Sequence, residues 1–409
     1  VSTDFNAGID SSDVVVRYGE EVTWNAVPAI AFTEVRLTGE SFSEQKTRTR
    51  PEEIKADGFV AHALTTQVQA TGGLNFALSF STYDDLLEGL LNGDFTTDLT
   101  IDAITVDTSV SLTLAGGGVG FTSTLSGKFD AIVEGQWIRT AGWALSTSNG
   151  IFRVVRIVTG ASPELEVSAT AGDGAGLVVE TSVGGERFRG KMLRNGTAFH
   201  SYFFEKQLAA ALFLVYSGSY ISDGNLTAQV GGFLEGTFNF LCASEATGTA
   251  TAGTGPAIAA PSGRVIDTVA GFSNLEVNDV AIAAVVQGIS WNVTKNNARA
   301  QYGLGAAAAQ GMARGTIDVS GSMSVYFVDF TLYDLYKAET DQIVSFRALD
   351  DTGAGYIFTL PAVTLMNPQV VAGSPDTDVV SEFELEGNGG SGDYDGVIMQ
   401  IDSIPDGTS

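Results

Sequence analysis

The residues able to do chemistry are few. Two histidines, His62 and His200, and one cysteine, Cys242, are the whole imidazole and thiol supply of 409 residues. A three-histidine metal centre and a cysteine-rich zinc site are therefore excluded, and an intramolecular disulfide is impossible. Gly185-Glu186-Arg187-Phe188-Arg189-Gly190-Lys191 has the spacing of a phosphate loop. Met192 stands where Ser or Thr would hold Mg²⁺, and no strand–loop–helix pattern surrounds it, so a basic strand edge is the plainer reading. Asp393, Asp395, Gly396 and Asp402 match parts of an EF-hand loop, but Ser391 takes its first position and no helices flank it. An acidic tail is the simpler account. No G-x-S-x-G elbow and no H-E-x-x-H occurs. Pairs such as Glu52-Glu53 and Asp84-Asp85 are ordinary in a chain with 48 acidic residues. His62, in a polar arm, and His200, in an aromatic strand, read as structural. Asn195-Gly196-Thr197, Asn225-Leu226-Thr227 and Asn292-Val293-Thr294 are glycosylation sequons only in a eukaryotic secreted context, which nothing supports. No catalytic set, metal or cofactor is expected.

Composition narrows the class further. Twenty-one basic against 48 acidic residues give a net charge of −27. A sequence-reading nucleic-acid binder needs a basic footprint, which this chain lacks. Hydrophobic residues make up 44%, enough for a large core. The longest apolar stretch, Leu208 to Tyr216, is far short of the ~18–20 residues of a spanning helix, so no membrane insertion is expected. Val1 to Asp13 shows no signal-peptide pattern. With 49 Gly, only 9 Pro and short alternating strands between turn residues, the expectation is an all-β protein of sandwiches or barrels.

The elements that would position any site are duplicated. Thr82-Tyr83-Asp84-Asp85-Leu86 after Phe80-Ser81 resembles Leu332-Tyr333-Asp334-Leu335-Tyr336 after Phe330-Thr331, 250 positions later. Gly39-Glu40-Ser41-Phe42 matches Gly288-Ile289-Ser290-Trp291 at 249. Val68, Ala70, Leu74, Phe76 and Leu78 share a strand face because side chains alternate. At +249 stand Ile317, Val319, Met323, Val325 and Phe327, all apolar; at +250 stand mostly polar residues. The 249 register thus holds along the strand, and the extra residue between Phe327 and Phe330 is expected as a β-bulge. Phe213-Leu214-Val215 with Phe233 to Phe238 likewise pairs with Tyr356-Ile357-Phe358 and Ser381 to Leu385.

Two tandem β-sandwich domains follow, each with one short helix and a long inter-strand arm: residues 14–95 with 190–246, and 262–402. Residues 247–261 read as a linker. The 96–189 region is an insertion with a small β module at about 129–170, whose Trp137, Phe152 and Val154 should be core. Gln136 to Arg139 and Ile151 to Val155 are its strands, joined through a turn at Ser148-Asn149-Gly150. In the first helix Ser81 or Thr82 is the expected cap, Leu86, Leu87, Leu90 and Leu91 the apolar face, and Gly93 the stop. Thr331 and Asp334 are given the same parts in the second.

Arms and strand faces carry what remains. Ser43 to Leu64 holds Lys46, Arg48, Arg50 and Lys55; Thr294 to Gly315 holds Lys295, Arg299 and Arg314. Seven of 21 basic residues gathered in long loops of an acidic chain suggest contact with acidic surfaces of neighbouring subunits. Opposite the core, Ser41, Ser43, Gln67, Gln69, Thr71 and Asn75 form one polar face. Ser290, Asn292, Thr294, Asp318, Ser320, Ser322 and Ser324 form its equivalent, again without Lys or Arg. An ordinary solvated sheet has such a face; so does a conduit for a polyanion.

Leu37-Thr38-Gly39-Glu40-Ser41-Phe42, Arg50-Pro51-Glu52-Glu53-Ile54-Lys55-Ala56-Asp57 and Gly73 through Glu88 together resemble the tail tube proteins of long-tailed bacteriophages. So do Leu193-Arg194-Asn195-Gly196-Thr197, Gly232 to Phe238, Gln301-Tyr302-Gly303-Leu304-Gly305 and Leu332-Tyr333-Asp334. The likeness spans most of 24–402 outside the insertion. It implies a β-sandwich with a flanking helix, inner sheets joined between subunits into a barrel, and rings stacked into a negative-walled tube that conducts DNA. Two tube domains per chain imply a homotrimeric, pseudo-hexameric ring, with a homohexamer as the other stoichiometry. Further implied are a tape measure protein and passing DNA in the lumen, tail terminator and distal tail proteins at the ends, and assembly in the bacterial cytoplasm. A rival reading is a surface or adhesin protein binding host glycans through Trp137 and Trp143.

Overall fold

A computed structural model describes residues 8–54, 58–102, 108–111, 113–115, 117–371, 375 and 378–407. The chain is all-β with two short helices. In order, the strands used below are β1 (Val15–Glu20), β2 (Ser43–Thr49) and β3 (Leu64–Ala77), followed by helix α1 (Asp84–Leu91). Then come β4 (Trp137–Ala141), β5 (Gly150–Val158), β6 (Arg187–Arg194), β7 (Tyr202–Ala209), β8 (Leu212–Gln229), β9 (Glu235–Cys242) and β10 (Ser244–Gly248). The remainder is β11 (Phe272–Val277), β12 (Val286–Asn296), β13 (Thr316–Tyr326), α2 (Thr331–Ala338), β14 (Gln342–Leu349), β15 (Gly355–Val371), β16 (Val380–Gly387) and β17 (Gln400–Ile404).

Alternation places the core as the sequence requires. Ala70, Leu74 and Phe76 of β3 and Val319, Met323 and Val325 of β13 are buried, while Asn75, Asp318, Ser320 and Ser322 between them are exposed. Phe42 lies across β3 at Gly72, where a Cβ would stand 2.1 Å from its ring, so only glycine admits the contact. The antiparallel ladders β2–β3–β9–β8 and β12–β13–β16–β15 repeat one pairing order twice. β8 pairs with β12, so the two sets run on as one eight-stranded sheet. Each long strand, β8 and β15, carries a bulge within its inner ladder and continues beyond that ladder in an outer sheet. The outer half of β8 lies between β7 and β10, and that of β15 between β14 and β17. One apolar core runs through both halves, with α1 packed on β8 and α2 on β15.

Several local expectations change. Thr82 does not cap α1 because its hydroxyl bonds Ser79 Oγ at 2.8 Å, and Ser81 adopts φ 58° with its N–H donated to the Tyr356 hydroxyl. Asn92 in the left-handed region, not Gly93, closes the helix. At α2, Asp329 rather than Thr331 accepts the free N–H, that of Thr331 itself at 2.9 Å. The extra residue before α2 falls in the connection after β13, not in the ladder, whose pairing with β16 is unbroken. The linker is docked: Thr254 and Ile258 donate N–H groups to Ile30 and Phe32.

The inserted region has a core of its own that is wider than 129–170, drawing in Leu99, Val110, Phe121 and Phe188 beside Phe152 and Val154. Trp137 is buried elsewhere, with Ile151, Ile357 and Ile404. Its indole N–H donates to Thr359 Oγ1 at 3.1 Å, and its backbone N–H to Asp402 Oδ1 at 3.1 Å. β6 pairs with β4 through Arg187–Arg189 and, further along, with β17 through Lys191–Arg194, so the insertion is sewn to the second half. Deleting about 125–185 would remove β4 and Trp137 from this seam. Trp137→Ala should lower the unfolding free energy by about 3–5 kcal/mol, and Trp137→Phe by about 1 kcal/mol for the lost Thr359 bond, in denaturant titrations. Equal small losses would mean that the seam is not structural.

Candidate functional site

Cross-strand registers gather the polar residues of both halves onto one face of the inner sheet. Ser43 stands opposite Thr71, Asn75 opposite Thr237, Asn225 opposite Asn292, and Ser290 opposite Ser322. Ser320 and Ser322 then face Glu386 and Glu384. Side chains knit the face together: Thr237 Oγ1 to Asn75 Oδ1 at 2.8 Å, Asn239 Nδ2 to Asp223 Oδ2 at 2.6 Å, and Ser290 to Ser322 at 2.8 Å. Ser41, Ser43, Gln67, Gln69, Asn75, Ser290, Asn292, Asp318, Ser320 and Ser322 lie on the side opposite the buried residues of their strands. Around Asn292 and Ser320 the face is concave, enclosing about 810 Å³.

Sequence reasoning missed eight of its residues. Asp223, Asn225, Thr227, Thr237 and Asn239 belong to the face, as do Glu382, Glu384 and Glu386. The alternation Glu382-Phe383-Glu384-Leu385-Glu386 was the signal, since its apolar members are buried and its acids exposed. Between Ser43 and Thr47 on β2, and along the paired lengths of the other strands, alternation turns every Lys away from the face. Carboxylates without cations can repel a polyanion but cannot hold it.

The arm residues separate. Lys46 is exposed and pairs with Glu44 of its own strand at 3.1 Å. Arg48 donates to Ala63 O at 2.8 Å, and Arg50 is exposed. Lys55 lies outside the described residues. The second arm folds back on the first half of its own chain. Ala307 O accepts from Val68 N at 2.9 Å, Arg314 donates to Thr197 O, and Arg299 donates to Asn297 O at 3.2 Å.

Lys295 is not an arm residue. It belongs to β12, on the core face with Trp291 and Val293, and is 3% exposed. Its Nζ donates to Gly89 O at 2.6 Å and Asn92 Oδ1 at 2.7 Å, and lies 4.1 Å from the Tyr220 ring centre. A cation thus closes the C-terminal end of α1, where helix carbonyls lack partners. Burial pushes its pKa well below the ordinary 10.5.

Other chemistry is structural. His200 Nδ1 meets Glu20 at 2.7 Å, and this bond raises its pKa. Glu88, Asp94 and His200 bring one ligand atom each within 4.8 Å, but Glu88 already accepts the Phe95 N–H. Cys242 is buried, its thiol pushed up to about 12 by desolvation. Arg187 to Arg194 are strand, not a phosphate loop, and Asp402 is buried against Trp137 rather than open to calcium. Trp137 and Trp143 are both buried, which removes the surface a glycan would stack on.

The cost of burying the Lys295 charge is fully present below its folded pKa and relieved as pH rises toward 10.5. Wild-type stability should therefore climb relative to Lys295→Met from about pH 7 to about pH 9.5, read as the difference in melting temperature. A constant difference would show that the ammonium is not desolvated.

A comparison with curated proteins finds no match. A family model described as phage tail tube protein matches residues 11–387, nearly the whole chain and both halves of the inner sheet. Members of that family are structural parts of the virion tail and not enzymes. A polar sheet face from which Lys46 and Lys295 are turned away, duplicated ladders and this match agree, and the chain belongs to the phage tail tube protein family.

Proposed function

We propose that the protein assembles as rings of three chains, each supplying two tube domains, stacked into a hollow tube through which DNA passes to the host. The observation that carries this is the β8–β12 ladder. Leu226 sits opposite Trp291 there and is 6% exposed. Leu226 is linked through Gly236 to Phe76; Val370 is linked in the same way through Ser381 to Val325, which is 249 positions after Phe76. Val370 is thus the counterpart of Leu226, and Phe42 that of Trp291. Val370 is 40% exposed on an edge of β15 that has no strand partner there among the described residues. An open edge offers a row of unpaired N–H and C=O groups and is usually blunted or covered. Pairing β15 of one chain with β2 of the next, Val370 against Phe42, would reuse the junction the chain already contains. Three chains of eight inner strands would close a barrel of twenty-four, with no edge left.

The arms fit the same operation. The second arm reaches across to Val68 of the preceding half. The first arm, carried by the same register, would reach over the second half of a neighbouring chain, and its exposed Ile54 and Val60 would be covered there. Lys46, 249 positions before Lys295, would approach the end of the neighbour's α2. Arg48 and Arg50 would meet acidic groups, each exposed pair contributing about 0–1 kcal/mol but repeated around the ring. The polar face would line the lumen, where acids without cations let DNA and a tape measure protein slide. Tail terminator and distal tail proteins would meet the tube ends, and assembly would take place in the host cytoplasm.

Negative-stain micrographs of the purified protein should show rings or tubes, and a reconstruction should show three chains per ring. Six chains would sink the trimer. Val370→Lys should melt within about 1 kcal/mol of wild type, as surface changes do, yet form no rings. Arg48→Glu with Arg50→Glu should likewise leave the fold intact while blocking polymerisation at fixed salt. Tubes of normal length from the latter would show that the arms are solvated loops.

A further inference from the structure

We infer that residues Gly8–Asp10 of one chain seat beside α2 of the preceding chain, with Ile9 as the anchor. The inference rests on ring assembly by edge pairing and names a second contact made by the same operation. Its template is inside the chain. Ile266 is fully buried at the end of the α1 groove. Its N–H donates to Leu78 O at 2.8 Å, and its carbonyl accepts from Leu234 N at 3.1 Å. Leu78 N in turn donates to Leu234 O at 2.7 Å. Ile266 is a one-residue strand wedged where β3 ends and β9 begins.

The same seat exists in the second half without its wedge. Phe327, 249 positions after Leu78, donates its N–H to Val379 O at 2.9 Å, as Leu78 does to Leu234. Among the described residues no segment bonds Phe327 O or Val379 N. Beside them an apolar cavity of about 430 Å³ opens between α2 and the sheet, walled by Val325, Leu332, Leu335 and Phe383. Val328 and Phe330, near its mouth, are each 61% exposed.

The occupant follows from what supplies Ile266. That residue lies on the run leading into β11, the first strand of the following half. For α2 the following half belongs to the next chain, and the run leading into its first strand, β1, is Gly8 to Val14. Ile9-Asp10-Ser11 stands 257 positions before Ile266-Asp267-Thr268, and the start of β1, Val15, stands 257 before the start of β11, Phe272. Both strands open on equivalent ladders, Val15 opposite Gln207 and Phe272 opposite Ala348. Both aspartates turn the chain alike: Asp10 Oδ1 accepts from Ser12 N at 2.9 Å, and Asp267 Oδ1 from Val269 N at 2.8 Å. Ile9 is 49% exposed in the single chain, whereas Ile266 is 0% exposed. A seat lacking its wedge and a wedge lacking its seat are thus related by the rotation that pairs β15 with β2.

Cys242 is the only native cysteine and is buried, so introduced thiols can be addressed selectively. Ile9→Cys combined with Val328→Cys, treated with a short bismaleimide, should give a covalent ladder that ends at three chains on a denaturing gel. Ile9→Asp should melt like wild type and lower the assembled fraction by about tenfold or more, because a charge would enter an apolar seat. Rings that form without cross-links, or an Ile9→Asp variant that assembles normally, would overturn this contact while leaving edge pairing in place. Absence of wild-type rings and tubes would overturn edge pairing itself, and this contact with it.

Discussion

The ladder between β8 and β12 is the contact from which the rest of the molecule takes its arrangement. Backbone N–H and C=O groups at a sheet edge must find partners, and here they find them within one chain. Pairing of Asp223 through Gln229 with Thr294 through Gly288 sets the two halves in one register. It brings Trp291 over Phe346 and Phe358 on one side of the sheet and aligns Asn225 with Asn292 on the other. A slip of one residue would turn every polar side chain of the second half into the core. The continuous polar face is therefore a consequence of this ladder.

Electrostatics follow the same geometry. In a chain of −27, several cations are placed where they join elements. Arg17 meets Glu34 at 3.3 Å and Glu205 at 3.5 Å, tying β1 to β7. Arg153 pairs with Asp279 and Arg347 with Asp173, joining the insertion to the second half. Lys295 is the most buried of these, and its partners are a helix carbonyl and an amide rather than a carboxylate. That choice suits a helix C-terminus, whose partial negative charge is fixed in place and whose carbonyls need donors. The remaining face, without cations, is left free to carry negative charge alone.

The insertion shows how an added module can become structural. Its strands could have ended on a solvent edge, but β6 places them against β17, and Trp137 fills a gap against Ile357 and Ile404. The indole satisfies Thr359, and Asp402, pushed up to about 8 by burial, accepts the Trp137 N–H. A buried carboxyl of this kind is tolerable only because Gln400 and Trp137 both donate to it.

The sequence alone determined the all-β class, the 249-residue register, the buried and polar faces of β3 and β13, and the family. Each of these rests on period-two alternation or on ordered motifs, and both are local properties that the letters carry. It did not determine which strands are neighbours. Alternation says which way a side chain points, not what lies across the ladder, so β8 beside β12 was not legible, and the alternating acids of β16 did not say which strand they stand beside. For the same reason Lys295, which reads as an arm residue beside Asn296 and Asn297, proves to be core: only the fold brings the end of α1 within reach of its ammonium. Thr82 reads as a cap and is not one because Ser79, brought close by the bend after β3, takes its hydroxyl. Trp137 reads as core of a small module and is instead a seam, since its partners Thr359 and Asp402 are more than two hundred residues away in sequence. Partners that distant are chosen by the closing of the whole sheet, and no window of sequence contains them.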